Sequence, residues 1–163
     1  MKSKVYLETT IPSYLAGWLS RDLLTAAHQQ VTREWWERRR QSFDLYVSEM
    51  VIEECGAGDA VLARRRLALV EDLPILVLTP GAQVLAEQLL AGGPIPRKAA
   101  GDALHIALAT VYGCEYLLTW NCRHIANAEI QRAARLVVAG QGYDLPTICT
   151  PEELMEECHG LEG

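Results

Sequence analysis

Short apolar runs alternate along this chain with longer stretches of helical period. Val5-Tyr6-Leu7, Leu45-Tyr46-Val47, Ile75-Leu76-Val77-Leu78 and Tyr116-Leu117-Leu118 are continuous runs, without the polar alternation of a half-exposed strand. They predict four strands buried on both faces, and Pro146-Thr147-Ile148 predicts a short fifth. The first run is expected to stop at Thr9, Thr10 and the Ile11-Pro12 step. Between the runs, the spacing predicts helices. One covers Asp22 to Gln41, with Leu24, Ala27, Val31 and Trp35 on one stripe. A second is capped by Ser48 and passes through Glu54 to a stop at Gly56 and Gly58. Others run from Ala60 to Val70, from Pro80 to Leu90, from Asp102 to Val111 and from Ala126 to Val138. Pro151 is expected to open a final acidic helix. Buried strands separated by helices indicate an α/β fold, a three-layer α/β/α sandwich on a central, mainly parallel sheet. The pattern predicts one domain over residues 1–150 and an acidic C-terminal helix or tail over 151–163.

Composition narrows the class. The chain has 163 residues, half of them hydrophobic, which suits a packed core and excludes intrinsic disorder. No apolar stretch approaches the ~18 residues of a membrane span. The opening MKSKVYLETT has no apolar leader core, so a cytoplasmic protein without membrane contact is expected. Five cysteines are widely spaced with no CxxC, which fits small thiols in a reducing compartment better than a zinc ribbon. The Cys122-Arg123-His124 run and His105 raise a zinc alternative, against which His105 reads more simply as a core histidine. No glycine-rich dinucleotide turn, GxSxG elbow or Walker loop is present, which argues against a Rossmann-type small-molecule enzyme. The formal charge of -6 points away from tight non-specific nucleic-acid binding, although the cations cluster in Arg38-Arg39-Arg40 and Arg64-Arg65-Arg66.

In a parallel sheet, ligands bind beyond the carboxyl ends of the strands. Glu8 follows the first strand there, and Thr119 and Asn121 follow the fourth. Glu53 and Glu54 lie on the helix after the second, and Asp102 opens an otherwise apolar helix. Each has an ordinary structural explanation: a helix cap for Asp102, an arginine partner for Glu8, a solvated face for one of the glutamates, a turn for Asn121. Those explanations leave unanswered why polar groups end two of the four main strands. Three carboxylates at one sheet edge repel unless a hard cation joins them, and Mg²⁺ or Mn²⁺ prefers oxygen ligands.

The stretches VYLETTIPSYL, VSEMVIEEC, GDALHIALAT and YLLTWNCRHI, in that order, resemble PIN-domain proteins, and more narrowly the VapC-like toxins of bacterial toxin–antitoxin modules. The resemblance spans about residues 3–149. It implies a Mg²⁺- or Mn²⁺-dependent endoribonuclease with an RNA substrate, a cognate antitoxin partner and a homodimeric state. It also implies cleavage leaving a 5′-phosphate and a 3′-hydroxyl. Carried over by position, Glu8, Glu54 and Asp102 match the metal-binding acids. Asn121 stands where the family usually has a last aspartate, Thr10 and Thr119 match supporting hydroxyl residues, and Glu53 is the neighbouring alternative to Glu54. Arg38, Arg39, Arg40 and Arg123 are candidate RNA contacts, and the aromatic-basic helix that carries Trp35, read as core, and Trp36, read as partly exposed, is a candidate place for an antitoxin groove. Glu8 is one methylene longer than the usual aspartate, and Asn121 carries no charge. Both departures also suit a rival reading, a PIN-like domain that has lost activity and binds RNA or protein.

Overall fold

The computed structural model describes residues 1–158. Its centre is a five-stranded parallel sheet of order β3-β2-β1-β4-β5. The strands are β1 (Ser3–Leu7), β2 (Phe43–Ser48), β3 (Ile75–Leu76), β4 (Tyr116–Leu118) and β5 (Thr147–Cys149). Helices α1 (Thr10–Ala16), α2 (Leu23–Arg38), α3 (Glu49–Cys55) and α4 (Ala60–Val70) connect the first three strands. Helices α5 (Pro80–Leu90) and α6 (Ala100–Val111) then cross to β4, and α7 (Ala128–Gly140) leads to β5. Helix α1 packs on α2 and α4, whereas α5 packs on α6 and α7. The two groups follow from right-handed crossovers running in opposite directions along the sheet, which put helices on opposite faces. The architecture is the expected α/β/α sandwich.

The core forms because the apolar runs are apolar on both sides. Val5, Tyr6, Leu7, Leu117 and Leu118 are completely buried. Helix α6 is buried nearly all round, from Ala103 through Thr110, as its composition demands. It ends at Gly113, whose φ of +70° allows Cys114 to return its N–H to the Ala109 carbonyl.

Several elements depart from the sequence pattern. Helix α1 starts where a stop was expected, because Pro12 falls in its first turn, where a missing N–H leaves no gap in the ladder. Helix α2 ends at Arg38, and Arg40–Ser42 form a separate 3-10 turn. The buried face of α2 is Gln29, Thr32 and Trp35, while Leu24 of the expected stripe is exposed. Polar side chains can face inward there because Gln29 bonds the Trp18 carbonyl and Ser20 N–H, and Thr32 bonds the His28 carbonyl and the Trp120 indole. Strand β3 stops at Leu76: the Val77 carbonyl accepts from Tyr112 and the Leu78 N–H donates to Glu49, which ends the ladder. Pro151–Leu154 is a single 3-10 turn rather than the expected helix. Glu152 and Glu153 suit a helix start, but Glu156 and Glu157 repeat the charge four residues on, which opposes another turn. Residues 159–163 of the expected tail lie outside the described residues.

Candidate active site

Strand order reverses between β1 and β4, so a crevice opens at the carboxyl ends of this pair, the switch point at which open sheets bind ligands. Leu7 is paired with Leu118, and the next residue on each strand is Glu8 and Thr119. Register alone therefore brings these two side chains together. The Glu8 Oε1 accepts from the Thr119 hydroxyl and from the Thr10 hydroxyl, both at 2.6 Å, and its Oε2 accepts from the Thr10 N–H at 2.9 Å. Glu8 is only 4% exposed. Three donors at short range are what a buried carboxylate requires. The threonine hydroxyls are themselves held, since Thr10 accepts from the Trp120 N–H and Thr119 from the Asn121 N–H.

Glu54 comes from the last turn of α3. Its Oε1 accepts from His105 Nε2 at 2.5 Å and from the Thr9 hydroxyl at 2.9 Å. Partial burial pushes its carboxyl pKa upward, but the interaction with His105 and the Thr9 hydrogen bond outweigh this and leave it below the ordinary value. Behind it lies a buried polar chain. The Tyr6 hydroxyl sits 2.6 Å from His105 Nδ1 and 2.7 Å from Ser48 Oγ, which in turn accepts from the Val51 N–H. With the imidazole proton on Nε2, every group is satisfied: Ser48 donates to Tyr6, Tyr6 to His105, and His105 to Glu54. Burial raises the Tyr6 pKa and keeps the phenol protonated. His105 is thus a core histidine, 1% exposed, whose outer nitrogen serves the crevice.

Asp102 does not cap α6; the cap position is Ala99 and carries no side-chain bond. Instead the Asp102 Oδ2 accepts from His124 Nδ1 at 3.1 Å, with both side chains partly buried. Asn121 performs the turn role. Its Oδ1 accepts from the His124 N–H at 3.0 Å, and its carbonyl accepts from Ile125 and Ala126. The uncharged residue is thereby committed to shaping the turn that carries His124.

The remaining candidates separate. Glu53 is exposed and lines a shallow groove with Met50, Leu78 and Leu104. Arg123 is exposed on the turn after Asn121. The Arg38-Arg39-Arg40 run lies at the opposite edge of the sheet from Glu8. It joins the end of α2 to the start of β2, and Arg40 shares a groove with Lys2, Phe43 and Pro74. Arg39 is spent on the Leu154 carbonyl and Glu157, and Arg40 packs over Trp36. The run therefore does not lie beside Glu8. Trp35 is fully buried, as its place on the apolar stripe predicts, and Trp36 is partly buried. The large exposed apolar side chains near the start of α2 are instead Trp18, Leu19, Leu23 and Leu24, with Arg65 lying over the Trp18 ring. Thr9, His105, His124, Tyr6 and Ser48 are the members that strand-end reasoning passed over. The available signals were a phenol inside an apolar strand and a histidine on the most apolar helix, since both need buried partners.

The donors are of the right kind for a divalent ion, and Glu54 Oε2 and Asp102 Oδ1 have no partner among the described residues. As they stand, however, they do not fit one. Among the described residues no three His, Cys, Asp or Glu side chains gather as a ligand set, and each acid is already held by its own hydrogen-bond donors. The zinc alternative fails on the same ground, because both ring nitrogens of His105 are engaged.

Residues 6–130 match the PIN domain family, and this chain belongs to it. Among curated proteins, none matches significantly. Two solved structures share the fold. One is VapBC2 from Rickettsia felis bound to a DNA fragment from their promoter, with a TM-score of 0.58 and 14% identity over 90% of this chain and 98% of that one. The other is Mycobacterium tuberculosis VapC20, a toxin that cleaves the sarcin–ricin loop, with a TM-score of 0.53 and 14% identity over 69% and 86%. Among the described residues, no helix is long and apolar enough to cross a membrane.

Proposed function

We propose that this chain is an endoribonuclease that depends on Mg²⁺ or Mn²⁺ and acts in the cytoplasm as the toxin of a toxin–antitoxin pair. The observation that carries the reading is the meeting of Glu8 and Thr119 at the switch point, with Glu54 and Asp102 delivered to the same end of the sheet. All four lie within the stretch that matches the PIN family. An ion of this kind, when bound, supplies positive charge for a scissile phosphate and makes water a better nucleophile at neutral pH. The protein's own part is to hold acids. Glu8 is fixed by three donors, Glu54 is anchored by His105 and Thr9, and Asp102 retains an uncommitted oxygen on a helix start. Arg123, exposed on the adjoining turn, is the RNA-phosphate contact of this reading.

VapC20, which shares the fold, is a toxin that cleaves the sarcin–ricin loop, and cleavage by a toxin comes to this chain as part of the proposal. An antitoxin needs an apolar surface, and Trp18, Leu19, Leu23 and Leu24 offer one. Exposed Ile75, Val77 and Val84 beside the sheet edge would suit a homodimer contact.

The rival reading is a PIN domain that binds RNA or protein without cleaving. It draws on Asn121, which serves the turn, and on the acids' own partners. Titrating Mg²⁺ and Mn²⁺ into an RNA-cleavage assay separates the two, with wild type, Asp102→Ala and Asn121→Asp run in parallel. Ion-dependent cleavage that disappears in Asp102→Ala is expected. Binding without cleavage by wild type, at any ion concentration, would establish the rival.

A further inference from the structure

One wall of the crevice is aromatic. Tyr14 stands one turn after Thr10 on α1, and so on the same helix face as the hydroxyl that donates to Glu8. Trp120 follows Thr119 directly, and its N–H donates to that same Thr10 hydroxyl at 2.8 Å. The rings of Tyr14 and Trp120 lie 6.1 Å apart with an interplanar angle of 18°. His28, from α2, stacks on Trp120 at 4.0 Å and 13°, and on Tyr14 at 6.5 Å and 18°. Trp120 is itself tethered, since its indole N–H donates to Thr32, whose hydroxyl donates to the His28 carbonyl. Helices α1 and α2 and the end of β4 together hold the Tyr14 ring in place.

The hydroxyl on that ring is idle, unlike that of Tyr6, which Ser48 and His105 engage. Among the described residues it has no hydrogen-bond partner. The fully buried side-chain polar atom in that condition is Trp35 Nε1 alone, so the phenol of half-buried Tyr14 opens to solvent. Burial, and then the neighbouring Cys122 and Glu8, raise its pKa and keep the proton on the oxygen. Both neighbours belong to the crevice, Glu8 at the end of β1 and Cys122 on the turn that carries Arg123, so the hydroxyl stands at its edge. Glu8 is already met by three donors and does not claim a fourth. What remains is a fixed donor whose acceptor must come from outside the protein.

We propose that Tyr14 is a substrate-binding residue, whose hydroxyl donates to a phosphate oxygen of the RNA strand at the β1–β4 crevice. The proposal rests on the RNA reading of this site and requires no ion. Tyrosine hydroxyls are among the groups that fix the register of a nucleic acid through its phosphates, without reading sequence. The ring stack serves to hold Tyr14 rather than to receive a base, because Trp120 is only 8% exposed and His28 covers one of its faces.

The test is binding of a fluorescein-labelled single-stranded RNA in EDTA, read by anisotropy over a range of salt, in wild type, Tyr14→Phe and Arg123→Ala. Phenylalanine keeps the ring in its stack and removes only an oxygen that no described protein group uses, so Tm should not change. Loss of a hydrogen bond to a charged acceptor should weaken binding roughly tenfold in Tyr14→Phe. Because the phenol is neutral, the slope of log Kd against log salt should stay as in wild type, whereas Arg123→Ala should reduce it by roughly 0.7. Binding by Tyr14→Phe within about twofold of wild type overturns the assignment. So does a lower Tm or a reduced salt slope in that variant, or a wild type that binds no RNA. The two readings fail separately. Weaker binding by Tyr14→Phe, without cleavage by wild type in Mn²⁺, keeps the phosphate contact and sinks the ribonuclease. Ion-dependent cleavage by wild type with unaltered binding by Tyr14→Phe does the reverse.

Discussion

Tyr6→Phe deletes one oxygen from the middle of the polar chain that reaches Glu54, and its effects follow from the geometry. The hydroxyl bridges Ser48 at 2.7 Å and His105 at 2.6 Å, and all three residues are buried. Without it, His105 Nδ1 has no donor in a site closed to water. Leaving a buried polar atom unpaired costs about 1–3 kcal/mol. Ser48 keeps its bond from Val51 and loses only an acceptor, so its share is smaller. The sum is roughly 2–3 kcal/mol, a large fraction of the ~5–15 kcal/mol that holds a domain folded. For a chain of this size, it lowers Tm by roughly 5–10 °C. Urea unfolding followed by circular dichroism should show a lower midpoint with an unchanged slope. The Nε2–H bond to Glu54 does not depend on the phenol, so the loss should appear in stability rather than at Glu54. A stability loss below about 0.5 kcal/mol would refute the account of this chain as a fully satisfied buried network.

Other expectations follow from the same structure. Glu8→Asp restores the residue usual in the family, yet its shorter reach cannot satisfy both Thr10 and Thr119. A loss of about 1–3 kcal/mol in urea unfolding is expected, and unchanged stability would contradict the role given to Glu8. Glu54 has a lowered pKa, so its contribution to stability is present above the ordinary value of 4.5 and is lost as pH falls through the lower folded value. Wild type should lose stability through that window, and Glu54→Gln should flatten this part of the acid-unfolding curve. Replacing Arg38, Arg39 and Arg40 together by alanine should leave RNA cleavage within about twofold of wild type, because counterion effects at the far edge fall off over roughly 10 Å. A large drop would return that run to the RNA path.

How far the amino-acid sequence anticipated this molecule depends on which physical signal each feature left. Strands β1, β2 and β4 were plain because a strand buried on both faces must be apolar throughout, and the sheet edge followed from the parallel order. Glu8 and Thr119 were visible as polar residues at strand ends and Asp102 at a helix start, whereas Glu54, at the end of its helix, was set apart from Glu53 only by the family resemblance. The inward face of α2 was not, since Gln29 and Thr32 are buried through bonds to distant residues that no local period encodes. The same holds for Arg39, whose partners Leu154 and Glu157 are 115 and 118 residues away. Asn121 and His124 stand three apart in sequence, and their turn was foreseeable. The link from His124 to Asp102 depends on how α6 meets the loop after β4, which only the folded chain decides.

The central claim is that the acids at the β1–β4 switch point cleave RNA with the help of a divalent ion. Its most direct test incubates one structured RNA with wild type and with Asp102→Ala, each in Mn²⁺ and in EDTA, and resolves the products and their ends. The account predicts discrete fragments with 5′-phosphates from wild type in Mn²⁺ alone. Equal cleavage in EDTA, or by Asp102→Ala, would contradict it.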